Sequence, residues 1–182
     1  TASRLRMKQY DAANRRIDLS EDFAGDAKYR NLQTGLPAVL ELTHCRSIIL
    51  KKLDIRRSDG SGIGIRSDCA NLEVSNSSFD DLGGGGIAIG SSQREPIAGT
   101  SWSGDGVARE QTHDIRIIHN TFTRLGRIHF AAAGIWSGQA FNVSIIGNSI
   151  HDLYYSGISI GWSWNSKPSL SHDNRVENND IS

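Results

Sequence analysis

No run of eighteen apolar residues occurs in this chain of 182 residues, so the sequence offers no candidate for a membrane-spanning helix. An excess of charge of either sign is also missing: Lys+Arg and Asp+Glu each number 20. A protein that grips a nucleic-acid backbone normally shows a basic stripe, and here only Arg15-Arg16, Lys51-Lys52 and Arg56-Arg57 stand as basic pairs. No nucleic acid is expected as a partner. Proline is scarce, three against nineteen glycines, and the glycines keep no G-x-y period, which excludes a collagen helix. Two cysteines, Cys45 and Cys69, are too few for a structural zinc site, which takes four ligands. His44, His113, His119 and His129 lack metal-ligand spacing, so no metal and no cofactor is assigned. Phosphate loops, dinucleotide fingerprints and G-x-S-x-G elbows are absent. Gly83 to Gly86 carry no Lys-Ser/Thr after them and read as a tight turn. The chain opens TASRLRMKQY, without an initiator Met or a signal peptide, as a processed, trimmed or partial chain would.

What is present is a repeat. Gly62, Gly86, Gly134 and Gly157 each open a short apolar strand, G-I-G-I, G-I-A-I, G-I-W-S and G-I-S-I. Ahead of them Ile55, Phe79, Phe122, Ile150 and Ile181 hold one position, and Leu82, Leu125 and Leu153 follow three residues later. A further strand recurs as Ser47-Ile48-Ile49-Leu50, Asn71-Leu72-Glu73-Val74, Asp114-Ile115-Arg116-Ile117 and Asn142-Val143-Ser144-Ile145. Within each piece the alternation has period two, so every second side chain points inward. Units recurring every 23 to 28 residues are too short to bury a face alone. Stacked in parallel they lay Ile over Ile and share one core. Helices are disfavoured by the Gly, Ser, Asn and β-branched content, and there is no room for the crossover helices of a βαβ sheet. The expectation is an all-β, right-handed parallel β-helix of roughly five rungs over 32–182, preceded by an irregular or capping segment over 1–31.

Two residues before the Phe/Ile position stand Ser77, Asn120, Asn148 and Asn179. Asn tolerates left-handed backbone and bonds to nearby amides, so Asn120, Asn148 and Asn179 are read as a structural ladder at a sharp corner. Cys45 and Cys69 lie one repeat apart, either as small buried side chains in adjacent rungs or as a disulfide between rungs. Two interruptions break the period: a polar, Gly-rich loop near 91–112 and a smaller bulge from Ile128 to Ala133. Insertions in a solenoid project as loops, often on the binding face. Trp102 and Phe130 in these loops are aromatics of the kind a sugar ring stacks on.

The phrase NSIHDLYYSGISIGWSWN, with HNTFTRLGRIHFAAAGIW ahead of it, resembles the right-handed parallel β-helix proteins of the pectate-lyase-like superfamily. More narrowly it is similar to the bacterial β-helix glycoside hydrolases that act on complex polysaccharides. The likeness covers residues 40–182, and the hydrolase branch rests mainly on Ile150 to Trp164. It implies a polysaccharide or oligosaccharide substrate and a secreted, periplasmic or cell-surface location. It also implies a longer parent helix, with a catalytic carboxylate expected on a strand beyond Ser182.

Glycoside hydrolysis takes two carboxylates, about 5–5.5 Å apart for retention or about 6.5–9.5 Å for inversion. Rungs spaced by about 4.8 Å permit either distance. Asp81 and Asp152 share one place in their rungs, with Arg57 and Arg124 in the rungs between or before them. They read as acids with positioning arginines, or as salt bridges on a solvated turn. Asp105 and Glu110 lie in the long insertion and are further catalytic candidates, with Asp68 a weaker one. His151, beside Asp152, is placed to orient a sugar hydroxyl or tune a proton donor. Trp136, Trp162 and Trp164 form a candidate platform for pyranose stacking, with His129 and Trp102 as added contacts. A polysaccharide lyase is the first alternative and would want a calcium-binding cluster of acids with an Arg or Lys base, which Asp80-Asp81 beside Arg57 or Arg124 permits. A glycan-binding or structural β-helix without catalysis is the second.

Overall fold

The computed structural model describes residues 36–90, 111–161 and 170–182. The segment 1–31 and nearly all of the 91–112 insertion therefore lie outside the described residues. The first rung consists of β1 (Ala38–Leu42), β2 (Arg46–Lys51) and β3 (Asp54–Ser58). The second has β4 (Ser61–Ile65), β5 (Ala70–Ser75) and β6 (Ser78–Leu82). The third has β7 (Ile87–Ile89), β8 (Thr112–Ile118) and β9 (Thr121–Leu125). The fourth has β10 (Ile135–Ser137), β11 (Ala140–Ile146) and β12 (Ser149–Leu153), and the fifth has β13 (Ile158–Ile160), β14 (Arg175–Glu177) and β15 (Asp180–Ile181). Each strand pairs in parallel with its counterparts one rung away, giving three five-stranded sheets. This is a right-handed parallel β-helix, as the repeat implies.

Register puts like on like. Ile63, Ile87, Ile135 and Ile158 stack in the first sheet, and Leu72, Ile115 and Val143 in the second. In the third sheet Phe79 lies on Phe122, with ring centroids 4.8 Å apart and planes 8° from parallel. These side chains form one continuous buried core, each contributing about 1.5–3 kcal/mol by leaving water.

The glycine column and the Phe/Ile column face each other. A Cβ on Gly62 would lie 2.6 Å from the Phe79 ring, on Gly86 2.4 Å from the Phe122 ring, and on Gly157 2.7 Å from Ile181. Each of these glycines is required by the apolar side chain on the third-sheet strand of its own rung, which fills the space a side chain would need.

Left-handed residues stack in columns near the strand ends as well as in the corners. Arg57, Asp81, Arg124 and Asp152 share one column, with φ between 53° and 57°. Ser47, Asn71, Asp114 and Asn142 share another. The corner between the second and third sheets is two residues long in every rung: 52–53, 76–77, 119–120, 147–148 and 178–179. Here the structure corrects the reason for the asparagine column. The left-handed residue is the one before it (Asn76, His119, Gly147 or Asn178), and the column itself is kept for its side-chain bonds. Asn148 Oδ1 accepts from the backbone N–H of Asn120 at 2.9 Å and from its Nδ2 at 3.0 Å. Asn179 Oδ1 does the same for Asn148, at 2.9 Å in both cases. Asn120 Nδ2 donates to Val74 O, Asn148 Nδ2 to Ile117 O and Asn179 Nδ2 to Ile145 O, each at 2.9 Å. At the lower end Ser77 accepts from Leu53 N at 3.1 Å. Buried backbone groups that the turn takes out of the sheets are thereby satisfied.

Candidate functional site

The outer face of the third sheet is polar and regular. Ser78, Thr121, Ser149 and Asp180 stand in one column, and Asp80, Thr123 and His151 in the next. At the end of this sheet the chain turns toward the first sheet, and the longest of these turns among the described residues follows β9, over 126–134. Its start is fixed by Gly126 at φ +71°, whose N–H donates to Gly84 O at 2.9 Å. Gly83 O then accepts from both Ile128 N and His129 N, at 3.1 and 2.8 Å. Gly83 must be glycine, since a Cβ there would lie 2.2 Å from Asp59 O. Clamped in this way, the loop turns Ala131 to Ala133 inward and leaves Ile128 and Phe130 outside.

Phe130 is 53% exposed and Tyr154, in the corresponding corner one rung on, 60%. Their rings meet edge to face at 5.2 Å and 70°, and Tyr155 is exposed beside them in sequence. Arg127 ties the group to the sheet. Its guanidinium carbon sits 5.0 Å from the Tyr154 ring centroid, while Nη2 pairs with Asp152 Oδ2 at 2.5 Å and donates to Asp152 O at 3.3 Å. Burial opposes the charge of Arg127, but Tyr154 and Asp152 outweigh it and raise its pKa. The result is an exposed aromatic corner with a fixed charged pair at its base.

The residues singled out from the sequence fall in different places. Asp152 belongs to this corner. Asp81 is exposed two rungs away in the same left-handed column, while Arg124 pairs instead with Asp80, at 2.5 Å. His151 turns away from Asp152: its ring bonds to Ser149 Oγ and, through Nδ1, to Ser182 Oγ at 2.6 Å. His129 is only 7% exposed, and burial pushes its pKa down, with the Asp59 charge opposing. It underlies the loop and presents no open ring face.

Trp136 does occupy the outward place, between Ala88 and Ser159, yet it is 1% exposed and packs with Ala88 and Ala133. Its ring is covered in this structure. Asp105, Glu110, Trp102, Trp162 and Trp164 lie outside the described residues. Tyr154 and Tyr155 were missed in the sequence. The signal for them was available, because both fall between the Leu153 position and Gly157, in a corner that needs no inward apolar side chain.

Several other acids serve ion pairs. Glu41 receives a two-pronged bond from Arg66, at 2.7 and 2.8 Å. Glu73 lies between Lys51 and Arg116, at 3.3 and 3.2 Å, and the Ser75 hydroxyl together with these cations lowers its pKa. Asp114 is raised by burial, but bonds from Asn142 and His113 leave it lowered on balance. Among the described residues no three His, Cys, Asp or Glu side chains gather as a metal site, and no helix is long and apolar enough to cross a membrane. Comparison with protein-family models, with curated proteins and with solved structures returned no match; the functional reading rests on the β-helix and on this aromatic corner.

Proposed function

We propose that the chain is the glycan-binding part of a carbohydrate-active β-helix protein, with the 126–134 loop and the Tyr154–Tyr155 corner as the binding site. The observation that carries this reading is the exposed Phe130–Tyr154 pair anchored by Arg127 and Asp152. Pyranose rings stack their C–H faces on such aromatics, and the hydroxyl and carboxylate columns of the third sheet supply hydrogen-bond partners for an extended chain. A polysaccharide lying along the solenoid would meet the same groups at each strand spacing of about 4.8 Å. The sequence resemblance adds a secreted or cell-surface setting to the proposal.

Hydrolysis by paired carboxylates is the second reading. Asp81 and Asp152 stand two rungs apart, about 9.6 Å of strand spacing, near the upper end of the roughly 6.5–9.5 Å of inverting enzymes. Against it, Asp152 is held in an ion pair by Arg127, at 2.5 Å. A neighbouring cation favours the ionised carboxylate, whereas a general acid has to hold its proton.

Isothermal titration against a panel of soluble plant polysaccharides tests both. The binding reading expects affinity that falls in Phe130→Ala and Tyr154→Ala and stays in Asp81→Asn. Affinity for no glycan, or full affinity in both aromatic variants, overturns it. Reducing ends released by the intact chain and lost in Asp152→Asn would favour hydrolysis.

A further inference from the structure

Cys45 and Cys69 are both free thiols, and the corners that carry them are copies of one another one rung apart. Each cysteine follows a left-handed residue, His44 at φ 52° and Asp68 at φ 52°. Each immediately precedes the first residue of a second-sheet strand, and those residues, Arg46 and Ala70, pair in the ladder. Backbone bonds lock the two corners together: His44 N donates to Ser67 O at 3.0 Å and Ala70 N to Cys45 O at 2.9 Å. Cys45 therefore stands directly under Cys69, with a Cα separation set by the strand spacing of about 4.8 Å, within the roughly 4.4–6.8 Å that disulfides span.

Both sulfurs contact carbonyls at the end of the first-rung strand β1. Cys69 Sγ reaches back to Leu42 O, at 3.4 Å, and Cys45 Sγ lies 3.1 Å from Thr43 O. These are carbonyls of consecutive residues in the lower rung. Both side chains join the inner packing, Cys69 fully buried and Cys45 half-buried. Nothing in the glycan reading uses either of them.

We propose that Cys45 and Cys69 are a redox pair that closes to a disulfide between the first two rungs. With a small disulfide such as oxidised glutathione as oxidant, the Cys45 thiolate, the more accessible of the two, attacks one sulfur and releases one glutathione thiolate. The Cys69 sulfur, after giving up its proton, then attacks the Cys45 sulfur of the mixed disulfide and releases the second glutathione. The chain loses two protons and two electrons, and the oxidant becomes two glutathione thiols. Residues stacked in register hold their Cβ atoms near the strand spacing of about 4.8 Å, slightly beyond the roughly 3.5–4.5 Å of relaxed disulfides. The bond is therefore strained and readily reduced again, a labile staple. It joins the first two described rungs, and stability in a solenoid depends on such nearest-neighbour interfaces.

The test incubates the full chain with oxidised glutathione, alkylates it in denaturant with iodoacetamide and digests it with trypsin. The expected result is loss of both alkylation sites and a linked peptide pair, 31–46 with 67–94, reversed by dithiothreitol. Cys69→Ala is expected to stop at a glutathione adduct on Cys45, and if that variant does not fold, Cys45→Ser is expected to take up no glutathione at Cys69. Two alkylated cysteines after oxidation, a glutathione adduct on the unaltered chain that never resolves, or a link between two chains overturns the proposal.

Discussion

Arg127 lies over the ring of Tyr154, its guanidinium carbon 5.0 Å from the centroid, while its other face of contact is the Asp152 carboxylate. The ring is therefore held by a charge that is itself held by the sheet. A cation over an exposed ring is worth about 0.5–1 kcal/mol. Arg127→Ala is expected to raise the Kd for a bound glycan by about two- to five-fold through loss of that orientation. Titration calorimetry checks this, and the far-ultraviolet spectrum should stay unchanged.

Asn148 is the most connected member of the corner ladder. Replacing it by Ala removes the acceptor for Asn120 N and Nδ2 and the donor for Ile117 O. Each buried polar group left unpaired costs about 1–3 kcal/mol. Asn148→Ala is expected to lower unfolding stability by roughly 3 kcal/mol or more, and Asn179→Ala, at a half-exposed rung, by less. Urea unfolding of both variants measures the difference.

Gly86 admits no side chain. A Cβ would meet the Phe122 ring at 2.4 Å and Gly134 O at 2.7 Å, although its φ is not left-handed. Gly86→Ala is expected to destabilise by about 1–3 kcal/mol, as overpacking does. Phe122→Leu in the same chain should recover part of the loss, and thermal unfolding of the single and double variants reads this coupling.

His129 is buried and its pKa is lowered, so over a pH window the unfolded chain binds more protons than the folded one. Stability then rises with pH through that window. The loss should begin as pH falls below about 6.5, the ordinary histidine value, and level off once pH drops below the depressed folded value. Unfolding midpoints measured between pH 5 and 8 are expected to show this slope in the unaltered chain and a flatter one in His129→Gln.

The periodic part of the fold was legible because like residues stack on like. A glycine, an Ile pair and a Phe or Ile marker recur at fixed offsets, and only parallel stacking gives each a partner. Trp136 marks the limit of that logic. Alternation correctly assigned it the outward place, but there it is buried in a cluster with Ala88 and Ala133, and Ala133 belongs to a loop whose path no period encodes. Trp136→Ala is accordingly expected to cost about 3–5 kcal/mol of stability, as for a buried aromatic, and denaturant unfolding would show it. The candidate site was harder still to read. Arg127, Phe130 and Tyr154 are separated in sequence and meet only because two corners of successive rungs lie side by side. The pairing of Arg127 with Asp152, in place of the expected Arg124, comes from the same turn.

The two-residue corner between the second and third sheets never changes length, whereas the other two corners range from a pair of residues to long insertions. In the upper three rungs the asparagine ladder holds that length, because each amide has to meet the backbone of its neighbours at one fixed height. Lengthening that corner by a single residue would break the bonds of two rungs at once. The solenoid thus behaves like a bound book, with pages of any width sharing one spine. Novelty in sequence can accumulate along the free margins, where the aromatic corner sits, without disturbing the order of the rungs.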